Sequence, residues 1–192
     1  MGRSPEFEID DILGKAMGVF WANGYRDTSM TDLENATSLR PGSIYHAFGS
    51  KKGLFLAALD HYVKQVVDTR VSHLLEIDNP MEAIEDFFRS TFEAFNPDQL
   101  IGCMLTNTAT EVGATDSDIQ ERIEAGLSRI EGAFESRLTE AQGKNLLAAD
   151  KNAKTLALHL VSCYQGLAVI GRLTRDKDRL RVISDQALAS LK

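Results

Sequence analysis

The 192-residue chain has two cysteines, Cys103 and Cys163, in separate segments. Two thiols in a chain this long make no disulfide scaffold, and no Cys/His pair has zinc-finger spacing. The four histidines, His46, His61, His73 and His159, lie in different segments, so no metal site is expected. Proline is scarce, with four in the chain, and Val/Ile/Thr runs of period two are missing, which argues against a β-rich fold. No apolar run approaches the length that spans a bilayer. The first residues are polar and acidic, unlike a signal peptide, so a cytoplasmic location without a membrane partner is expected. No Ser-His-Asp arrangement, His-Glu-x-x-His, phosphate-binding glycine loop or paired metal ligands occur in readable context. We therefore expect no enzyme and no cofactor. The chain is acidic overall, at net charge -7, yet Asp and Glu are themselves missing from Asn35 through Leu59.

What is present favours helix. Hydrophobic residues make up 43% and charged residues 26%, ordinary for a globular protein, and Ala, Leu, Glu and Lys are plentiful. The organising stretch is Thr28 to Phe55, TSMTDLENATSLRPGSIYHAFGSKKGLF. Thr31 with Glu34 reads as a capping box opening a short helix, with Leu33 and Ala36 on one face. Ala36-Thr37-Ser38-Leu39 makes a turn. Pro41 suits the first position of the next helix, where its missing N–H is no loss. That helix, roughly 41–47, buries Ile44 and Phe48 and leaves Arg40, Gly42, Ser43, Tyr45 and His46 outward. Such a helix contributes little to a core; it fits a recognition helix presented to a DNA major groove. Arg40, Lys51 and Lys52 fall in the acid-free window, which suits a polyanion partner. Ser50 caps the following helix, whose N–H groups and Lys51 would clamp a phosphate.

Phe20-Trp-Ala-Asn-Gly-Tyr, Thr28-Ser-Met-Thr-Asp-Leu and Gly42-Ser-Ile-Tyr-His-Ala-Phe-Gly-Ser-Lys together resemble the N-terminal domain of TetR-family transcriptional regulators. The likeness covers the first third of the chain. Ser38 stands where the family commonly has Gly, Lys52-Gly53 where it has Lys-Glu, and Arg3 is the single basic residue of the N-terminal arm. The resemblance implies phosphate contacts from Tyr45 and Lys51, backbone contacts from Thr28 and Thr31, and groove-facing positions at Arg40, Pro41, Gly42, Ser43 and His46. Arg40 is the residue best suited to read guanine.

The rest of the chain reads as further helices: about 9–23 before the organising stretch, then 50–77, 81–95, 102–112, 119–142, 150–174 and 176–191. A second capping box is expected at Thr115–Asp118. The fold expected is all-α. A DNA-binding domain, 1–53, is joined through the helix at about 50–77 to a helical effector-binding and dimerisation domain, 54–192. That helix is expected to be the mechanical link between them. An effector pocket is expected from Phe88, Phe92, Cys103, Met104, Asn107, Phe134, His159, Cys163 and Tyr164, with Phe87, Phe95, Thr108, Glu111 and Gln165 nearby. Trp21 is expected in the core. The 150–174 helix is apolar on more than one face, so it needs two partners; one is the protein's own core and the other the same helix of a second chain. Cys103, after Gly102 at a helix start, is a redox-switch candidate, and an inert buried thiol is the alternative.

These features imply a homodimeric, one-component regulator, a repressor released from a palindromic double-stranded operator by a small organic effector or by thiol modification. One alternative is a helical small-molecule binding protein with a non-functional helix-turn-helix. Another is a thiol enzyme using Cys103.

Overall fold

The computed structural model describes residues 5–93, 102–113, 115–174 and 176–191, with side chains from Ile9 onward. Phe95, expected near the pocket, lies outside the described residues. Among those described, all regular structure is helical. The helices are α1 (Pro5–Asn23), α2 (Met30–Thr37), α3 (Pro41–Phe48), α4 (Lys51–Tyr62), a π-helical turn (Val63–Val67), α5 (Asp68–Glu76), α6 (Pro80–Glu93), α7 (Met104–Glu111), α8 (Ser117–Gly143), α9 (Ala153–Leu173) and α10 (Lys177–Ala189).

α1, α2 and α3 close over the start of α4. Phe20 and Phe55 meet edge to face at 4.9 Å, Tyr25 joins Phe55 at 4.7 Å, and Ala16, Leu33, Ile44 and Leu54 fill the space between, fully buried. α2 is opened by Ser29, not Thr31. The Ser29 hydroxyl accepts from the Asp32 N–H, and the Asp32 carboxylate accepts from the Ser29 N–H. Two frames fit the Ser/Thr-x-x-acid pattern, and the earlier one adds half a turn to a short helix. Ser38 ends α2 at φ 61°, a left-handed conformation that other residues reach at some cost and Gly reaches freely.

Residues 51–76 form one continuous rod, as expected, but with a π turn in the middle, where the Asp68 N–H reaches back to the Val63 carbonyl. The extra residue in this turn rotates α5 relative to α4. α5 then faces α6, whose Ala83, Ile84, Phe87, Phe88, Thr91 and Phe92 are buried while Glu82, Glu85 and Arg89 face out. α8 runs along this layer. Its Arg137, 5% exposed, donates to the Ile77 carbonyl and to Glu140, so a buried cation closes the C-terminal end of the rod. The cap of α8 is Asp116, which accepts from the Asp118 and Ile119 N–H groups; Thr115, expected to start the box, bonds the Val112 carbonyl instead.

α9 packs on α8, α10, α6 and α7. By length and composition alone it is apolar enough to cross a membrane, contrary to the sequence expectation. A core helix with two apolar faces passes the same test. Ala157, Leu160, Val161, Tyr164, Leu167, Ala168 and Gly171 are buried, whereas Leu158, Val169 and Leu173 remain exposed on its outer side.

Candidate functional site

α3 shows one edge to the core and the rest to solvent. Ile44 is fully buried and Phe48 half-buried, while Gly42, Ser43, His46 and Ala47 are exposed and Tyr45 is 50% exposed. Arg40 precedes the helix in extended backbone, exposed, with Pro41 at the first helical position. The outward set is therefore an Arg, a hydroxyl, a phenol and an imidazole on a surface that carries no carboxylate. At the next corner Ser50 caps α4 by accepting from the Gly53 N–H at 2.9 Å. A Cβ on Gly53 would lie 1.9 Å from the Phe48 carbonyl oxygen, so this corner as it stands leaves no room for a side chain at residue 53 and would have to shift to take one.

The expected contact residues do not all stand free. Thr31 is exposed. Thr28 is 1% exposed and its hydroxyl donates to the Gly24 carbonyl at 2.6 Å, so it shapes the α1–α2 loop and does not present a hydroxyl outward. Lys51 sits with Nζ 4.9 Å from the Tyr25 ring centroid and donates to the Arg26 carbonyl. Lys52 turns away from α3 and pairs with Asp116 at 2.8 Å and Asp118 at 2.7 Å. Of the three cations in the acid-free window, one is thus committed to the other half of the molecule.

That pairing belongs to a set of contacts that the sequence reading missed. α7 reaches the N-terminal helices at both ends. At its start the Gly102 carbonyl accepts from Trp21 Nε1 at 3.2 Å, and Trp21 stacks edge to face on Tyr62 at 5.0 Å. At its end the Glu111 carboxylate accepts the Tyr25 N–H at 2.9 Å and the Arg26 N–H at 2.6 Å. Gly24, at φ 84°, makes room: a Cβ there would lie 2.6 Å from Glu111 Oε2. Arg172, near the end of α9, donates to the Ala22 carbonyl. The 51–76 rod is therefore not the sole mechanical link. Glu111, read as a polar group near the pocket, is a latch on the α1–α2 loop.

Cys103 immediately precedes α7 and is 2% exposed. Tyr62 donates to its sulfur at 3.5 Å, and the buried Tyr164 of α9 stands near it. Burial, more than the neighbouring Cys103, pushes both phenols well above their usual range, so they stay protonated donors. The thiol thus sits between two O–H groups. A phenol at the inward position 62, in place of Leu or Phe, was the available signal, because a buried Tyr needs a partner.

The other expected pocket residues divide. Phe88, Phe92, Met104, Phe134 and Tyr164 are buried in one core, in which Phe87, Phe88, Phe134 and Tyr164 are linked by ring contacts. Phe87 meets Phe134 at 4.9 Å and Tyr164 at 5.3 Å, and Phe88 stacks on Phe134 at 6.0 Å. Asn107 is half-buried, one turn into α7. His159 and Cys163 lie elsewhere. The histidine is exposed, while Cys163, its sulfur 3.6 Å from His159 Nε2, is half-buried and packs at the edge of the core. Their i,i+4 spacing stacks them on one face, and Tyr164, one residue on, turns about 100° inward. Burial pushes the Cys163 thiol up.

Comparison with known proteins bears directly on this arrangement. Residues 12–58 match the model of bacterial regulatory proteins of the tetR family, and 80–187 match the tetracyclin repressor-like C-terminal domain. The chain belongs to the TetR family of transcriptional regulators. It is 30% identical over 193 residues to the regulator YezE of Bacillus subtilis, with both chains covered in full. It is 28% identical over 189 residues to the repressor ComR of Escherichia coli, covering 97% of this chain and 90% of ComR. A solved cysteine variant of the TetR-family regulator CifR, in complex with 26-base-pair operator DNA, matches with TM-score 0.84 and 30% identity over the whole of both chains. These relatives are regulators of transcription, not enzymes, so the thiol-enzyme alternative falls. The N-terminal match takes in α2, α3, the Ser50 cap and Lys51; the C-terminal match runs from α6 into α10.

Proposed function

We propose that this chain is a cytoplasmic, homodimeric repressor whose α3 reads a near-palindromic operator. It is released when modification of Cys103 displaces α7, or when a small organic effector shifts the helices of the second domain. Residues 1–53 form the DNA-reading unit and 54–192 the sensing and pairing unit. One observation carries the reading: a single two-turn helix has the buried thiol at one end and the latch on the DNA-binding loop at the other. Adding even a small group to a side chain 2% exposed overpacks the site, at a cost of about 1–3 kcal/mol that movement of α7 relieves. Glu111 and Gly102 transmit that movement to Tyr25, Arg26 and Trp21, and the 51–76 rod carries it to α3. A coupling of about 1–3 kcal/mol lowers DNA affinity roughly 5–150-fold.

The outer side of α9 supports the dimer. Leu158, Val169 and Leu173 are exposed there, with Leu173 at 80%, and Val182 of α10 is 62% exposed. Small Ser162 and Gly166 lie between them, so two such helices can approach closely. A two-fold pair presents two α3 helices to successive major-groove turns. That ComR is a repressor and that CifR has been solved on operator DNA agree with this reading.

Fluorescence anisotropy on duplex DNA tests the contact residues. Tyr45→Ala is expected to weaken binding to all sequences alike and to reduce the salt slope. Arg40→Ala is expected to cost about 1–3 kcal/mol on the preferred sequence and to relax discrimination. Equal losses on preferred and scrambled duplexes for Arg40→Ala would remove that residue from base reading. Salt-independent binding of the wild type would favour the alternative, a binding protein with a non-functional helix-turn-helix.

A further inference from the structure

Among the described residues, Arg70 on α5 has no counter-ion. Its Nη2 donates to the Phe87 carbonyl at 2.8 Å and to Thr91 Oγ1 at 2.7 Å. Its guanidinium carbon stands 4.2 Å from the Phe87 ring centroid and 5.7 Å from that of Tyr164. Its Nε is buried and has no hydrogen-bond partner. Among the described residues no carboxylate lies within ion-pair distance of it. The nearby acid on α6, Asp86, is occupied by His73 at 3.0 Å and Arg89 at 2.8 Å. Arg70 is half-buried; its guanidinium stays charged, and contacts with carbonyls and ring faces neutralise no charge.

The same Arg70 lines a cavity of about 270 Å³ between α5 and α6, with Thr69, His73, Leu74, Ala83, Phe87 and Ser90. Its walls are mainly apolar, and its polar groups are the guanidinium, two hydroxyls and the rim imidazole. Phe87 is the wall this cavity shares with the packed aromatics around Phe88 and Phe134, and the cavity adjoins the rod just past the π turn.

We propose that this cavity binds a small organic monoanion, its carboxylate on the Arg70 guanidinium and its apolar body against Leu74, Ala83 and Phe87. A planar carboxylate matches the guanidinium fork, supplies the missing charge and leaves the ring of Phe87 for hydrophobic contact. The volume limits the ligand to the small end of what protein pockets hold. The inference rests on the regulator reading in one respect: it makes this anion the effector, because a ligand wedged between α5 and α6 moves the rod that ends at α3.

The test uses phenylacetate and its neutral isostere phenylacetamide on the full-length protein without DNA, by saturation-transfer NMR and calorimetry. Phenylacetate is expected to bind at least tenfold more tightly than the amide. Arg70→Met, which keeps the bulk and removes the charge, is expected to abolish that preference, and Leu74→Trp, which fills the cavity, to abolish binding of both. Equal affinity for acid and amide, preference retained in Arg70→Met, or no binding of either would overturn the proposal. Failure here with sequence-specific DNA binding intact leaves the regulator reading standing. Phenylacetate binding by a protein that ignores DNA sequence sinks that reading and keeps the site.

Discussion

Glu111→Ala removes the latch between α7 and the α1–α2 loop. The carboxylate holds two backbone N–H groups, at 2.9 and 2.6 Å. Hydrogen bonds to a charged acceptor contribute about 1.5–3 kcal/mol each, but water can replace this partly exposed carboxylate, so the two together amount to roughly 2 kcal/mol of local stability. In native-state hydrogen exchange that is about a 30-fold faster opening at the Tyr25 and Arg26 amides. Glu111→Gln keeps one neutral acceptor and should show a smaller acceleration. Amides in α3 should be unaffected, because Ile44 and Phe48 hold that helix independently of α7. The fall in DNA affinity that alkylating Cys103 with N-ethylmaleimide is expected to cause should also shrink in Glu111→Ala. Unchanged exchange at Tyr25 and Arg26 would refute the latch. A normal response to Cys103 alkylation would refute its role in coupling.

Three further outcomes follow from particular contacts. Gly53→Ala places a Cβ 1.9 Å from the Phe48 carbonyl oxygen, so it should destabilise the protein by about 1–3 kcal/mol and weaken DNA binding, as read by thermal melting and anisotropy. The hydrogen bond from Lys52 holds Asp116 below its ordinary value of 3.8, and Asp116 in turn holds Lys52 above 10.5. The depressed carboxylate stabilises fully above 3.8 and stops doing so as pH falls through its lowered value. The melting-temperature gap between wild type and Lys52→Met should therefore be present at neutral pH and close in acid; a gap independent of pH would contradict the ion pair. Leu173→Glu puts a charge on the most exposed apolar residue of α9 and should shift sedimentation from dimer to monomer with helicity retained.

Much of the architecture was legible because it is local. Pro41, Gly24 and Ser50 mark helix ends, and apolar spacing in α1, α6 and α8 gives the buried faces directly. The exposure of α3 was legible for the opposite reason: it buries only Ile44 and, in part, Phe48. What stayed hidden depends on contacts between residues distant in sequence. Nothing near Glu111 indicates that its partners are the Tyr25 and Arg26 amides, 86 and 85 positions away. Lys52 looked like one more cation for DNA until α8 brought Asp116 and Asp118 beside it. The π turn shifts α5 out of the phase that α4 sets, so Arg70 could not be placed from periodicity. On α9, periodicity was available but a two-sided apolar helix blurs it, and His159, expected among the pocket residues, is exposed.

The most direct test of the account is selection of bound fragments from a random duplex pool by the reduced, full-length protein. The account predicts a near-palindrome whose half-sites lie in successive major-groove turns, bound by a dimer with steep salt dependence. Recovery of no preferred sequence, with no binding even at low salt, would contradict it.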